Sequence, residues 1–248
     1  MVSAASPPRG HAAGHVFDNR GTGDSDRPLG LWSMEGLAAD VLAVLDDAGI
    51  ERAHVLGVSM GGMIAQHFAL AHPARVRSLA LACTHAGGLQ PGGPPWRMFA
   101  SLLLRPLLGQ RRTFPIVAPM LYSSATRRLR PERVREDGRF RLEEGTPVLT
   151  APSQAAVIYR HDTRRRLSEL RMPVLIVHGE EDRLISPENA RRMAQAIPGA
   201  RLAMIAGAGH MLTTDAEEET SAALLGFFDA VEQGEEGEAA GVADASSA

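Results

Sequence analysis

The sequence predicts an α/β protein built on a mostly parallel, doubly wound sheet. Two patterns point there: short apolar strands alternate with amphipathic helices near both ends of the chain, and a middle stretch of different composition interrupts the alternation. A third observation is length, since 248 residues suit one α/β domain carrying an insertion.

Taken in order, residues 15–19 read as a short strand that breaks at Arg20-Gly21-Thr22-Gly23, where glycine opens backbone angles closed to other residues. Ser33 is suited to cap a helix whose apolar stripe is Leu37, Val41, Val44 and Leu45, with Gly49 as its stop. Residues 53–58 are short and apolar, as in a strand buried on both faces, and Met63, Ile64 and Phe68 mark a helix ending before Pro73. Residues 76–83 form another strand. The alternation returns with strand 173–178, helix 187–197, strand 200–205 and helix 216–231. Between these halves, Pro, Gly and short Leu- and Arg-rich helical pieces predict an inserted cap over residues 87–170. The expected division is therefore a core from residues 1–86 and 171–232, the cap, and an unstructured tail over 233–248, whose Gly, Glu, Ala and Ser cannot bury a core.

Composition narrows the chemistry. The formal net charge of −3 gives no basic excess of the kind nucleic acid demands. All basic residues are Arg; with no lysine, Schiff-base chemistry, a P-loop Lys and a Lys base are excluded. The single cysteine, Cys83, has no disulfide partner within the chain and reads as a small buried residue. No apolar run suits a secretory signal or a bilayer span, so a cytoplasmic protein without membrane partners is expected. Residues 97–141 hold eleven Arg against three acidic residues, a pattern that fits solvated helix faces and would also suit a carboxylate-bearing substrate.

Gly57-Val58-Ser59-Met60-Gly61 fits a strand-to-helix turn that lifts a serine hydroxyl above a sheet, and here a strand precedes it and a helix follows. A serine hydroxyl needs a base, which is itself held by a buried carboxylate. His210, in Gly207-Ala208-Gly209-His210, follows the last strand, and Asp182, in Gly179-Glu180-Glu181-Asp182, follows the strand before it. Both positions fall at the carboxyl edge of a parallel sheet, where active residues collect. His67 and His72 lie along a helix and read as packing or surface residues, while His85 could line a pocket but lacks a carboxylate. His11 and His15 have the spacing of zinc-binding helices without a Glu or third ligand, so neither a metal nor any other cofactor is expected.

Asp18-Asn19-Arg20-Gly21-Thr22-Gly23-Asp24-Ser25, the Ser59 turn followed by Gly62, the Asp182 loop and Gly209-His210 together resemble the α/β-hydrolase superfamily. Gln154, Arg160-His161-Asp162, residues 170–182 and Ile197-Pro198-Gly199-Ala200 are similar to 3-oxoadipate enol-lactonase-like enzymes and bacterial carboxylesterases. The resemblance implies a catalytic triad of Ser59, Asp182 and His210, with the Met60 N–H in the oxyanion hole. It prefers Asp182 over Glu180 and Glu181, and implies hydrolysis of a small-molecule carboxylic ester or lactone through an acyl-enzyme. Ser in place of Asp at position 59 argues against dehalogenase and epoxide-hydrolase chemistry. Perhydrolase, acyltransferase and carbon–carbon hydrolase chemistry stay open, as does a binding protein of the same fold with little turnover.

The same resemblance implies earlier strands and a His-Gly oxyanion loop ahead of Asp18. Gly10-His11 has the reverse order and follows no apolar strand. The expectation is a sheet lacking one central neighbour of strand 53–58, unless the strand at Val16 slides in to pair with it. Low stability and weak activity would follow, since a missing oxyanion donor costs about 10²- to 10³-fold in turnover.

Overall fold

The computed structural model describes residues 3–4, 14–28, 30–88, 104, 109–143 and 150–245. His11, Arg97, Arg105 and parts of the expected cap lie outside the described residues. Strands β3 (Ala53–Val58), β4 (Val76–Ala82), β5 (Val174–Gly179) and β6 (Arg201–Ile205) form one parallel sheet in the order β3-β4-β5-β6. Strand β1 (Ser3–Ala4) pairs antiparallel with β2 (His15–Val16) in a separate two-stranded piece.

Strand β5 shows why the sheet is wound on both sides. Side chains alternate across a strand, and here Val174 and Ile176 enter one core with Leu37, Phe68 and Met193, while Leu175 and Val177 enter the other with Ile205, Phe227 and Val231. The first core lies beneath α1 (Met34–Asp47), α2 (Met60–Ala71) and, further on, α7 (Glu188–Ala196). The Ser33 hydroxyl accepts from the Gly36 N–H and caps α1. The second core is closed by α9 (Glu217–Ala245). That helix runs past Gln233, where the sequence reading began a tail. Arg20 forks onto Asp40 of α1, with Nε 2.6 Å from Oδ2, and so ties the Asp-Asn-Arg-Gly turn to the core.

Strand β3 departs from expectation. It is not buried on both faces: Leu56 is 47% and Val58 52% exposed. The reason is topological, because β3 pairs with β4 on one side and with nothing on the other among the described residues. The strand at Val16 does not slide in to fill that edge; it pairs with Ser3–Ala4.

The described residues between β4 and β5 include the helices α3 (Gln110–Leu121), α4 (Ser124–Leu129), α5 (Pro131–Glu143) and α6 (Ala151–Arg160). A short helix, α8 (Leu212–Asp215), follows β6. Among the described residues no helix is long and apolar enough to cross a membrane.

Candidate active site

Strand β3 passes into α2 through Ser59, whose φ of 54° and ψ of −117° lie outside the regions ordinary residues occupy. Such a conformation survives only where the surroundings enforce it. Here the Ser59 N–H donates to the Ala82 carbonyl at 2.9 Å and the Thr84 hydroxyl to the Ser59 carbonyl at 2.8 Å. The glycines that permit the turn are not quite those the motif suggests. A Cβ on Gly57 would lie 2.4 Å from the Gly61 carbonyl oxygen, and one on Gly62 would lie 2.7 Å from Thr84. Gly61 itself has open space, so the close approaches belong to Gly57 and Gly62. Met60 begins α2, where a backbone N–H has no partner within the helix and the helix dipole favours negative charge.

Asp182 is buried, and each of its oxygens has a distinct task. Oδ1 accepts the N–H groups of Leu184 and Ile185, both at 2.9 Å, which folds the loop around its own carboxylate. Oδ2 lies 2.8 Å from His210 Nδ1. His178, fully buried on β5, brings Nε2 to 3.2 Å from that same oxygen and 2.9 Å from the Ile185 carbonyl. A carbonyl can only accept, so His178 Nε2 carries the proton and its N–H is shared between the two oxygens. Burial raises the Asp182 pKa, but the hydrogen bonds from His178 and His210 outweigh it and hold the carboxyl down at about 2. It is ionised at neutral pH.

The loops bearing these two residues are joined directly. Glu180 N–H donates to the Ile205 carbonyl and Glu181 N–H to the Ala208 carbonyl, at 3.0 and 2.8 Å. Gly179 is needed because a Cβ there would lie 2.2 Å from the Gly209 carbonyl oxygen. Glu181 turns elsewhere, accepting the N–H and hydroxyl of Ser124 at 3.1 Å. Among the three adjacent carboxylates, Asp182 is therefore the one on His210.

The structure thus makes the Asp182–His210 pair and sets Ser59 on the same carboxyl edge, two strands from the Asp182 loop. No hydrogen bond joins Ser59 Oγ to His210 Nε2, a contact that in unliganded enzymes often closes only with substrate. Cys83 lies between them, with φ of 45° and Sγ 3.9 Å from the Gly209 carbonyl oxygen. Burial pushes its thiol up, and the nearby Asp182 adds to that. Among the described residues, Cys83, Asp182 and His210 are the one group whose ligand atoms, within 4.8 Å of one another, could share a metal. The Asp182 oxygens there are taken by N–H donors.

The competing histidines lie elsewhere. His161 Nε2 contacts the His85 carbonyl at 2.9 Å and His161 Nδ1 lies 3.2 Å from His67 Nε2. His85 Nδ1 accepts from the Gly87 N–H, so His85 acts in packing and turn formation. Burial pushes both His85 and His161 down to about 4. Two surface cavities of about 250 and 360 Å³ open beside Glu35 and His67; Ser59, Asp182 and His210 line neither. His15 is exposed in β2.

Residues 2–216 match the family described as alpha/beta hydrolase fold. A 2-hydroxy-6-oxononadienedioate/2-hydroxy-6-oxononatrienedioate hydrolase from Burkholderia vietnamiensis is 32% identical over 220 residues, covering 86% of this chain and 75% of that protein. The enol-lactonase from Burkholderia xenovorans superposes with a TM-score of 0.75 at 26% identity, over 86% of this chain and 78% of the other. An N-acyl homoserine lactone degrading enzyme superposes with a TM-score of 0.74 at 31% identity, over 86% and 82%. The chain belongs to the alpha/beta hydrolase fold family, and its relatives place it among hydrolases.

Sequence reasoning missed His178 on the Asp182 carboxylate and Asp215 beneath the histidine loop. His178 stands four residues before Asp182, but nothing in a strand's pattern says that the following loop folds back over it.

Proposed function

We propose that the protein is a serine hydrolase that cleaves a small-molecule carboxylic ester or lactone through an acyl-enzyme on Ser59. The observation that carries the reading is the buried Asp182–His210 pair, 2.8 Å long, on the sheet edge that also bears the strained Ser59 turn. In this reading His210 Nδ1–H points at Asp182, which leaves Nε2 free to take the Ser59 proton as Oγ attacks the carbonyl carbon. The oxyanion that forms is received by the Met60 N–H. His210 then hands its proton to the leaving alkoxide, the ester C–O bond breaks, and the acyl group stays on Ser59. Water, deprotonated by His210, attacks the acyl carbon and releases the acid, returning the proton to Ser59. Asp182 stays ionised throughout and stabilises the imidazolium.

Lactone cleavage is supported by two relatives named as lactone-acting enzymes. A second reading, hydrolysis of a carbon–carbon bond, rests on the 32% identical dienedioate hydrolase. A panel of short acyl esters, lactones and a vinylogous diketo acid, each run beside Ser59→Ala, tests both. Turnover of esters or lactones that disappears in Ser59→Ala supports the first reading. Turnover confined to the diketo acid replaces it with the second, and no turnover of any member contradicts both.

A further inference from the structure

Asp215 is buried, 6% exposed, at the end of α8, five residues beyond His210. One of its oxygens, Oδ2, accepts two backbone N–H groups that come from opposite directions. Gly209 N, immediately before His210, lies 2.7 Å away, and Ser123 N, in the turn between α3 and α4, lies 2.9 Å away. Its other oxygen, Oδ1, is buried with no hydrogen-bond partner. A buried carboxylate spent on two main-chain N–H groups, with no side-chain cation on it among the described residues, is a costly way to hold a loop. Its position explains what it holds.

The 121–124 turn touches both catalytic loops. The Met211 N–H donates to the Leu121 carbonyl at 2.9 Å, and Gly209 is pressed so close that a Cβ would lie 2.9 Å from the Leu121 oxygen and 3.0 Å from Ser123 N. The Asp182 loop is reached through Glu181, which accepts from Ser124. Arg130 of the same helical segment donates to the Asp215 carbonyl at 2.6 Å, and the Thr214 hydroxyl bonds the Asp137 carboxylate. The residues on either side of His210 are therefore fixed from the helical segment, and Asp215 Oδ2 is where that segment and the histidine loop meet.

We infer that Asp215 is a positioning residue: it clamps Gly209 to Ser123, and so sets His210 in register with Asp182 while coupling the helical segment to the triad. The inference rests on the proposed acyl-enzyme chemistry. A histidine displaced by about 1 Å can cost on the order of 10²-fold in rate without any loss of substrate affinity. The clamp thus acts on kcat and on the rate of serine modification, whereas a merely structural role would act on stability alone.

The test uses the full chain, a fluorophosphonate probe and a short-chain p-nitrophenyl ester. Asp215→Ala, folded by circular dichroism at the assay temperature, labels and turns over about 10²-fold more slowly with KM changed by no more than about threefold. Asp215→Asn keeps an oxygen able to accept both N–H groups and recovers activity to within about tenfold of the parent. Parental labelling in folded Asp215→Ala, or an Asp215→Asn as slow as Asp215→Ala, overturns the clamp. Should Asp215→Ala not fold, Ser123→Pro decides. It deletes the Ser123 N–H at a φ of −60°, which proline adopts, after an extended Tyr122 with φ of −113° and ψ of 148°. Because this change also removes the Ser123 hydroxyl that accepts from the Thr126 N–H, Ser123→Ala is run beside it; labelling slower than in Ser123→Ala supports the clamp, and labelling equal to it overturns the clamp. Ser59→Ala, run in parallel, separates the two ideas, because label persisting there contradicts the acyl-enzyme reading whatever Asp215 does.

Discussion

His178 Nε2 lies 3.2 Å from Asp182 Oδ2, the oxygen that also receives His210 Nδ1. The carboxylate is held ionised by two imidazoles, and the second of them is out of reach of any substrate. Replacing His178 with Leu gives an apolar side chain of similar size and removes the N–H, taking away the Ile185 carbonyl's bond from His178. The Asp182 pKa then rises from about 2 toward the ordinary range. A carboxyl whose pKa is depressed in the folded state contributes stability above its unfolded pKa and loses it as pH falls through the folded value. The acid-unfolding midpoint of His178→Leu is accordingly higher than the parent's. A midpoint equal to the parent's, read by circular dichroism, contradicts this.

Asp182→Asn is expected to reduce turnover by about four orders of magnitude, because an amide in that place favours the wrong imidazole tautomer. Glu181→Gln leaves His210 untouched, since Glu181 faces Ser124, and keeps turnover near the parent's. Steady-state kinetics on the two variants check the contrast. The reverse ranking would put the catalytic acid at Glu181.

The fold and the pair were legible for a simple reason. Parallel strands read as apolar runs, and the residues after them reach one edge of the sheet, so strand ends pointed to Ser59, His210 and the Glu180-Glu181-Asp182 loop, and the family resemblance chose Asp182 within that loop. Their support was not legible. His178 and Asp215 act through loops folding back on strands, and the 121–124 turn reaches Gly209 from more than eighty residues away in sequence. The exposure of Leu56 and Val58 could not be read from their own apolar run, which does not say whether its strand has one neighbour or two; the expectation of a missing neighbour came from the family resemblance instead.

Burial pushes His85 and His161 down to about 4, against an ordinary value of 6.5. Between those values the unfolded chain binds more protons than the folded one. Their contribution is therefore fully present above about pH 6.5 and is lost as pH falls through about 4, amounting to roughly a few kcal/mol. The melting temperature should drop across this window, ahead of the carboxylates. His161→Asn should flatten the slope, and an unchanged slope would show that His161 is already charged in the folded state.

Leu56 stands half exposed on the edge of β3 that has no strand partner among the described residues, and such an edge invites pairing between molecules. Leu56→Lys places a charge there and is expected to change stability by no more than about 0.5 kcal/mol while lowering light scattering on concentration. Unchanged scattering would show that this edge is not where the molecules associate.

The most direct measurement is intact mass after treatment with a fluorophosphonate, followed by peptide mapping. One adduct per chain, on Ser59, absent from Ser59→Ala and strongly slowed in Asp182→Asn, is the predicted result. An unmodified Ser59 in a chain that still hydrolyses esters, or equal labelling of parent and Ser59→Ala, would contradict the account.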